Sequence, residues 1–183
     1  MIGYKLATYY NGNYFQPCIV TLDIPDDATV VHPYTQYSWM MKEQHRVRSK
    51  KHRCNKARVI NIEDLQFGNF VPKAYSLFAI WNLIGKYGGQ IIPRIHLVIE
   101  RYKVNCPGSV YEPSEKPICL EEINEDESLE CGKGIHFFLT KQDAKDYCKP
   151  NDWAVSIMEQ LNFYICEEKI YGRLQNNDRL WSG

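Results

Sequence analysis

The chain has 183 residues, of which 44% are hydrophobic and 24% charged, a composition that fits one globular domain and argues against a largely disordered chain. Its 22 Lys and Arg residues balance 22 Asp and Glu residues, so the whole molecule has no long-range attraction for nucleic acid or for an anionic membrane. No apolar stretch approaches the ~20 residues that span a bilayer, and no secretory signal is evident, so we expect a cytosolic or nuclear protein without a membrane partner.

The first part of the chain predicts three strands. Alternating residues indicate strands over Tyr4 to Tyr10 and Tyr14 to Ile24, with Asn11-Gly12-Asn13 as the turn between them. A mostly apolar run from Ala57 to Ile62 predicts a third, buried strand. The intervening residues 31–53 are irregular, with aromatic and many charged residues.

The middle of the chain predicts one long helix followed by strands. Apolar residues at helical spacing indicate a helix from Ala74 to Tyr87, which Gly88-Gly89 would end. Ile91 to Tyr102 then predicts one or two strands, broken by Pro93. Residues 107–130 are rich in Pro, Glu and Ser and predict a loop with an acidic run between Glu121 and Glu130.

The last third predicts a strand, a capped helix and a final strand. Ile135 to Leu139 forms the strand, Thr140 with Asp143 gives a capping box for a helix from Lys141 to Cys148, and Leu161 to Ile170 predicts the final strand. The fold class that follows is α+β, with a twisted, mainly antiparallel sheet flanked by two or three helices. We expect a single domain over residues 1–183, with excursions near residues 30–55 and 107–130.

The seven cysteines contain no CxxC pair, and their number is odd, so we expect free thiols and no disulfide framework. Zinc sites take closely spaced pairs of thiolates or imidazoles, and the nearest approach to that spacing is His45, His52 and Cys54. The sequence therefore predicts no metal site.

Eight of the 22 basic residues fall within the 17 positions from residue 42 to residue 58. These residues, which we call the basic run, are Lys42, Arg46, Arg48, Lys50, Lys51, Arg53, Lys56 and Arg58. Such a run could neutralise phosphates and give salt-dependent binding to nucleic acid. It could equally meet the acidic segment 121–130, in this molecule or on a neighbour, or be a solvated loop that leads into a strand.

Four segments occur in an order that resembles an uncharacterised domain family of large DNA viruses and some microbes. They are Tyr4-Lys5, Ile19 to Pro25, Arg53 to Val59 and Cys131 to Tyr147. The family has an opening "YK" strand, an "IVKLEIP"-like strand, an "RCxKAKV"-like strand and a late "CxxGIHFF" segment. The resemblance implies a viral protein in the host cytoplasm or nucleus, or in the virion, and it brings no mechanism.

The segment Gly132-Lys133-Gly134-Ile135-His136-Phe137-Phe138, followed by Ala144 and Tyr147, also resembles the "GKGIYF" segment of ADP-ribosyltransferases of the poly(ADP-ribose) polymerase type. In those enzymes a tyrosine stacks on the nicotinamide of NAD, and the matching position here is His136. The histidine at this position and the lack of an early "HG(T/S)" strand are the two departures from the pattern of those enzymes.

The same resemblance implies a late catalytic glutamate, for which Glu167 and Glu168 are the candidates. A carboxylate there would stabilise an oxocarbenium-like transition state. The alternative is that the pair forms a solvated strand edge. This reading predicts either an NAD-dependent transferase or a degenerate binder of NAD or ADP-ribose.

The leading hypothesis from the sequence is a non-enzymatic binding or structural protein of a large DNA virus, such as a virion or capsid-associated component. It would use its aromatic and oppositely charged surfaces for contacts with a protein partner, without a cofactor. The family setting and the missing nucleophile elbow, phosphate loop and HExxH motif favour it. The transferase-like reading and nucleic-acid binding through the basic run stay as alternatives.

Overall fold

The computed structural model describes residues 1–36, 38, 40–147, 156–163 and 165. Seven of its strands form one curled antiparallel sheet in the order β3-β4-β9-β1-β2-β5-β8, and the short ribbon β6-β7 attaches to β1. The strands are β1 Ile2–Tyr10, β2 Phe15–Asp23, β3 Val30–Val31, β4 Lys51–Cys54, β5 Lys56–Asp64, β6 Ala74–Tyr75, β7 Val110–Tyr111, β8 Ile118–Cys119 and β9 Ile135–Phe138. The helices are α1 Leu77–Tyr87, α2 Ile95–Tyr102, α3 Lys141–Asp146 and α4, which covers residues 156–163. The α+β class with its antiparallel sheet is therefore confirmed.

The hairpin β1–β2 is the centre of the sheet. Its nine residue pairs run from Ile2 opposite Asp23 to Tyr10 opposite Phe15. The side chain of Asn11 closes the turn, because its Oδ1 accepts hydrogen bonds from the main-chain N–H groups of Asn13 and Tyr14. Asn and Gly are favoured in such turns for this reason. The turn predicted from Asn11-Gly12-Asn13 is confirmed.

Side chains of β1 and β9 alternate between two hydrophobic cores. Leu6 and Phe138 belong to a core that the helices cover, whereas Ala7 and Phe137 belong to a second core inside the curl of the sheet. The first core contains the buried residues of α1, α2 and α4. The second contains mainly β2, β4 and β5 side chains, together with Tyr111. One face of the sheet therefore carries the helices, and the other closes on itself.

Gly3 marks the tightest approach within the curl. A Cβ atom at Gly3 would lie 2.6 Å from Cδ2 of Phe137 and 2.9 Å from Cδ1 of Ile24, and both of those side chains are buried. We expect Gly3→Ala to lower the free energy of unfolding by about 1–3 kcal/mol, because an added methyl overpacks a filled core. Gly85→Ala is the control: apart from its own helix backbone and chain neighbours, nothing lies within 4 Å of its Cβ position, and alanine is favoured over glycine inside a helix by about 1 kcal/mol, so this variant should be at least as stable as the wild type. Urea denaturation of both variants checks this, and equal stabilities would contradict it.

Two predicted elements are wrong. The strands predicted over 91–102 are a 3-10 helix, Gly89–Arg94, followed by α2. Pro93 lies inside the 3-10 helix, and the buried residues Ile92, Ile95 and Ile99 follow helical spacing. The final strand predicted over 161–170 begins inside α4, where Ile157 and Leu161 are buried one helical turn apart. Residues 164 and 166–170 of that prediction lie outside the described residues.

The other helix predictions hold with shorter bounds. Ser76 caps α1, and its side chain accepts a hydrogen bond from the Ala79 N–H, so the predicted residues Ala74 and Tyr75 belong to β6 instead. The predicted Thr140 cap on α3 is confirmed, because its Oγ1 accepts a hydrogen bond from the Asp143 N–H. Cys148, the predicted end of that helix, lies outside the described residues.

Candidate functional site

The basic run and the acidic segment meet at a buried arginine. Arg53 lies in β4 with 0% of its surface exposed, and its guanidinium donates hydrogen bonds to three main-chain carbonyl oxygens. The acceptors are Asn124 O at 2.6 Å, Asp126 O at 2.7 Å and Leu129 O at 2.6 Å. The planar guanidinium presents its donors in a fixed fork, so one side chain can hold three points of a loop. Arg53 therefore fixes the conformation of the acidic segment.

The glycines of the Gly-Lys-Gly segment make room for this arginine. A Cβ atom at Gly132 would lie 3.0 Å from Cζ of Arg53, and one at Gly134 would lie 3.0 Å from its Cβ. Contacts this short are tighter than ordinary van der Waals packing, so any side chain at either position would push Arg53 aside. The close approach of Arg53 therefore explains why both positions are occupied by glycine.

His136 lies opposite Arg53 in the pairing of β4 with β9. Its ring is half-buried, and its Nε2 atom is buried without a hydrogen-bond partner in the described part of the chain. Burial lowers the pKa of His136 to about 3, with further lowering by the charges of Lys5, Lys51 and Arg53 and a smaller opposing effect of the Gly132 backbone. The imidazole is therefore neutral at physiological pH.

Two lysines, one in β1 and one in β4, carry charges that act on His136. Lys5 Nζ donates a hydrogen bond to the His136 carbonyl oxygen at 3.3 Å and lies 5.7 Å from the ring centroid of Tyr111. Burial, followed by the charge of Lys51, lowers the pKa of Lys5 to about 8. Lys51 Nζ donates to Sγ of Cys131 at 3.0 Å. The charges of Lys5, Lys51 and Arg53 all act on His136, and we call these three residues the cation cluster.

Most other members of the basic run bind carboxylates of the same molecule. The ion pairs are Arg48 with Glu127, Lys50 with Asp143, Lys56 with Asp27, and Arg58 with Asp23 and Glu115, at 2.6–2.9 Å. Nε of Arg46 donates to the Met41 carbonyl oxygen, and the Arg46 guanidinium lies 5.9 Å from the Tyr34 ring. Lys42 is exposed. The sequence left open whether the basic run meets the acidic segment 121–130 of the same molecule. The structure shows this contact at Arg48 and at Arg53.

The remaining residues singled out by the sequence do not form a site in the described residues. Glu167 and Glu168 lie outside them. His45 is exposed, whereas His52 and Cys54 are buried in β4, and His52 stacks on His32 with ring centroids 4.0 Å apart. Within the described ranges, no three His, Cys, Asp or Glu side chains are grouped so as to hold a metal ion. The same residues include no helix long and apolar enough to cross a membrane.

The sequence analysis missed one exposed aromatic feature, the loop of residues 64–71 after β5, which we call the Phe67/Phe70 loop. The carboxylate of Asp64 accepts hydrogen bonds from the N–H groups of Phe67 at 2.6 Å and Asn69 at 2.8 Å. Gly68 adopts a positive φ of 73° at the tip. Phe67 is 74% exposed and Phe70 is 65% exposed. The turn signature Gly68-Asn69 between two phenylalanines was the signal available in the sequence.

The fold and these features define an α+β protein with a curled antiparallel sheet, a partly buried cation cluster and an exposed aromatic loop. Comparison of the chain with family models, curated proteins and solved structures found no match. The two family resemblances therefore stay predictions.

Proposed function

We propose that the protein is a non-enzymatic binding protein that contacts a protein partner through the Phe67/Phe70 loop. The observation that carries this proposal is the exposure of two phenylalanine side chains on a loop whose backbone is held in place. The resemblance to the viral domain family adds the expected setting, a structural or virion-associated component of a large DNA virus.

The loop has the properties of a binding anchor. Asp64 N–H donates to the Asn69 carbonyl oxygen at 2.9 Å, and Val71 N–H donates to the Ile62 carbonyl oxygen at 2.9 Å, so both ends of the loop are tied to β5. Hydrogen bonds from the Phe67 backbone lower the pKa of Asp64, which keeps its carboxylate ionised and accepting. A rigid loop loses little conformational entropy on binding, and buried aromatic side chains dominate the energy of many protein interfaces.

Charge distribution favours a protein partner over nucleic acid. Four members of the basic run, Arg48, Lys50, Lys56 and Arg58, already form ion pairs with carboxylates of this chain. Nucleic acid would have to compete with these carboxylates, which reduces the gain from phosphate contacts.

The test compares a double variant, Phe67→Ser with Phe70→Ser, against Phe78→Ser. Phe78 is 64% exposed in α1 and serves as a matched aromatic control. Each tagged protein is used to capture proteins from cells that express it, and the captured protein is then purified and titrated. Removing one aromatic anchor of this kind costs more than ~1.4 kcal/mol of binding free energy. We therefore expect the double variant to bind the partner at least about tenfold more weakly than the wild type. The control should bind like the wild type.

The proposal fails if every captured protein binds the double variant and the wild type equally. It also fails if the only species that binds is nucleic acid and the affinity falls steeply with salt. A second copy of the chain is also a candidate partner, and sedimentation of the purified protein tests for such a dimer. A dimer that is lost only in the double variant would support the proposal. Thermal denaturation of both variants verifies that the substitutions leave the fold intact.

A further inference from the structure

A lysine nitrogen and a cysteine sulfur are in contact directly after the acidic segment. Lys51 Nζ, from β4, donates a hydrogen bond to Sγ of Cys131 at 3.0 Å, across 80 positions of the chain. Cys131 is exposed, so a small solute can reach its sulfur. Lys51 is half-buried, and its nitrogen lies 5.6 Å from the ring centroid of Tyr147. The fold therefore holds two nucleophilic atoms side by side at a place that solvent reaches.

This contact distinguishes Cys131 from the other cysteines of the described residues. Cys18 and Cys54 are buried, and burial raises the pKa of each thiol. Burial also raises the pKa of the half-buried Cys106. Cys119 is exposed, but its sulfur contacts a carbonyl oxygen instead of an amine. Among these five thiols, the combination of exposure with a lysine nitrogen in contact is found at Cys131.

We propose that Lys51 and Cys131 are an oxidation-sensitive modification site, at which a hydroperoxide such as hydrogen peroxide joins the two side chains by a covalent S–N bond. The Cys131 thiolate attacks one peroxide oxygen, the O–O bond breaks, and a sulfenic acid forms with release of hydroxide. The hydroxide takes a proton from the Lys51 ammonium and becomes water. This proposal is independent of the Phe67/Phe70 loop.

The second step joins nitrogen to sulfur. The neutral Lys51 amine attacks the sulfur of the sulfenic acid, the S–O bond breaks, and the hydroxyl group leaves with a proton from the nitrogen as a second water molecule. The product is a sulfenamide, which sulfenic acids also form with backbone nitrogen. One thiol, one amine and one hydrogen peroxide thus give the cross-link and two water molecules, and the peroxide accepts the two electrons.

The surroundings of Lys51 favour the attack by its nitrogen. Burial lowers the pKa of Lys51, but in the reduced protein the hydrogen bond to Cys131 and nearby negative charges raise this pKa above its ordinary value. Oxidation removes the thiolate that accepts this hydrogen bond, so burial then favours the neutral amine. The reacting atoms are already 3.0 Å apart, which is the separation of a near-attack arrangement.

The cross-link ties the end of the acidic segment to β4. Cys131 directly follows Glu130, whose carboxylate accepts a hydrogen bond from Ser49 Oγ at 2.7 Å. The new bond closes a loop of 80 positions, and long closed loops restrict the unfolded chain strongly. We therefore expect the oxidised protein to unfold at a higher urea concentration than the reduced protein.

Intact-mass spectrometry after treatment with hydrogen peroxide tests the proposal. The wild type should lose the mass of two hydrogen atoms, its protease digest should contain the Lys51 and Cys131 peptides joined, and dithiothreitol should reverse both changes. Lys51→Met and Cys131→Ser should form no joined peptide, and in Lys51→Met dimedone should label the sulfenic acid of Cys131. Lys50→Met and Cys119→Ser are the matched controls, which should form the link like the wild type, because Lys50 binds Asp143 and the Cys119 sulfur contacts a carbonyl oxygen.

A second readout measures the effect of the cross-link on the fold. The urea midpoint of the wild type should rise with peroxide and fall again with dithiothreitol, whereas the midpoint of Lys51→Met should not rise. The proposal is overturned if the wild type gains the mass of one oxygen atom and keeps it, without a joined peptide. It is equally overturned if the wild type loses two hydrogen atoms but its digest joins two cysteine peptides, because that result identifies a disulfide.

Discussion

Replacing Arg53 by methionine is expected to lower the free energy of unfolding by about 3–5 kcal/mol. The variant leaves three carbonyl oxygens without their hydrogen-bond donor. Each such oxygen costs about 1–3 kcal/mol where water cannot take the place of the lost donor. The carbonyls belong to Asn124, Asp126 and Leu129, so the acidic segment should also lose its fixed conformation. Urea denaturation gives the free energy, and limited proteolysis should show new cleavage between residues 120 and 131.

Arg48→Met is the control for this prediction. Arg48 also contacts the acidic segment, through Glu127 at 2.6 Å, but both side chains are substantially exposed. Exposed ion pairs contribute about 0–1 kcal/mol, so we expect this variant to remain close to the wild type. If the two variants lose the same amount of stability, Arg53 does not hold the acidic segment in the way described.

Lowering the pH from 6.5 toward 3 is expected to destabilise the protein through His136. In the unfolded chain the imidazole takes up a proton near pH 6.5, whereas burial first, and then the cation cluster, lower its pKa to about 3 in the folded protein. Between these values the unfolded state binds more protons, so stability falls as the pH falls through this window. The loss should reach about 2–4 kcal/mol, below full conversion of the pKa shift because the ring is half-buried.

The variant His136→Gln separates the contribution of His136 to the loss of stability in acid from that of carboxylates such as Asp64. The pKa of Asp64 is lowered in the folded protein, so acid also destabilises the fold through this group. As the pH falls from 6.5 to 3, the wild type should lose more free energy of unfolding than the variant does. Denaturation curves at several pH values measure this difference. A difference that is constant over the whole window would show that the two states protonate His136 alike.

The elements predicted correctly from the sequence are those whose local signals agree with their tertiary surroundings. The β1–β2 hairpin has alternating residues on both sides of an Asn-Gly turn, and a helix within 74–87 has apolar spacing with glycines at its end. Pro93 misled the prediction of strands over 91–102, because its fixed φ of about −65° is also compatible with the 3-10 helix in which it lies, just before α2 begins.

The site depended on contacts that only the folded chain reveals. Arg53 looks like any other member of the basic run, yet it is buried while Arg48 and Lys50 are exposed, because β4 directs its side chain toward Gly132 and Gly134. Lys5 of β1 contacts the main-chain oxygen of His136 in β9, across strands that lie far apart in sequence. Pairing of residues in space, not spacing along the chain, decides which charges are satisfied.

The central claim, that the Phe67/Phe70 loop is the protein-binding surface and the basic run is largely occupied within the molecule, is tested most directly by hydrogen–deuterium exchange. The purified partner obtained by capture is added to the wild-type protein, and exchange is compared with that of the free protein. We predict new protection concentrated in residues 64–71 and little change in residues 42–58. Protection confined to residues 42–58, with none in the loop, would contradict the account.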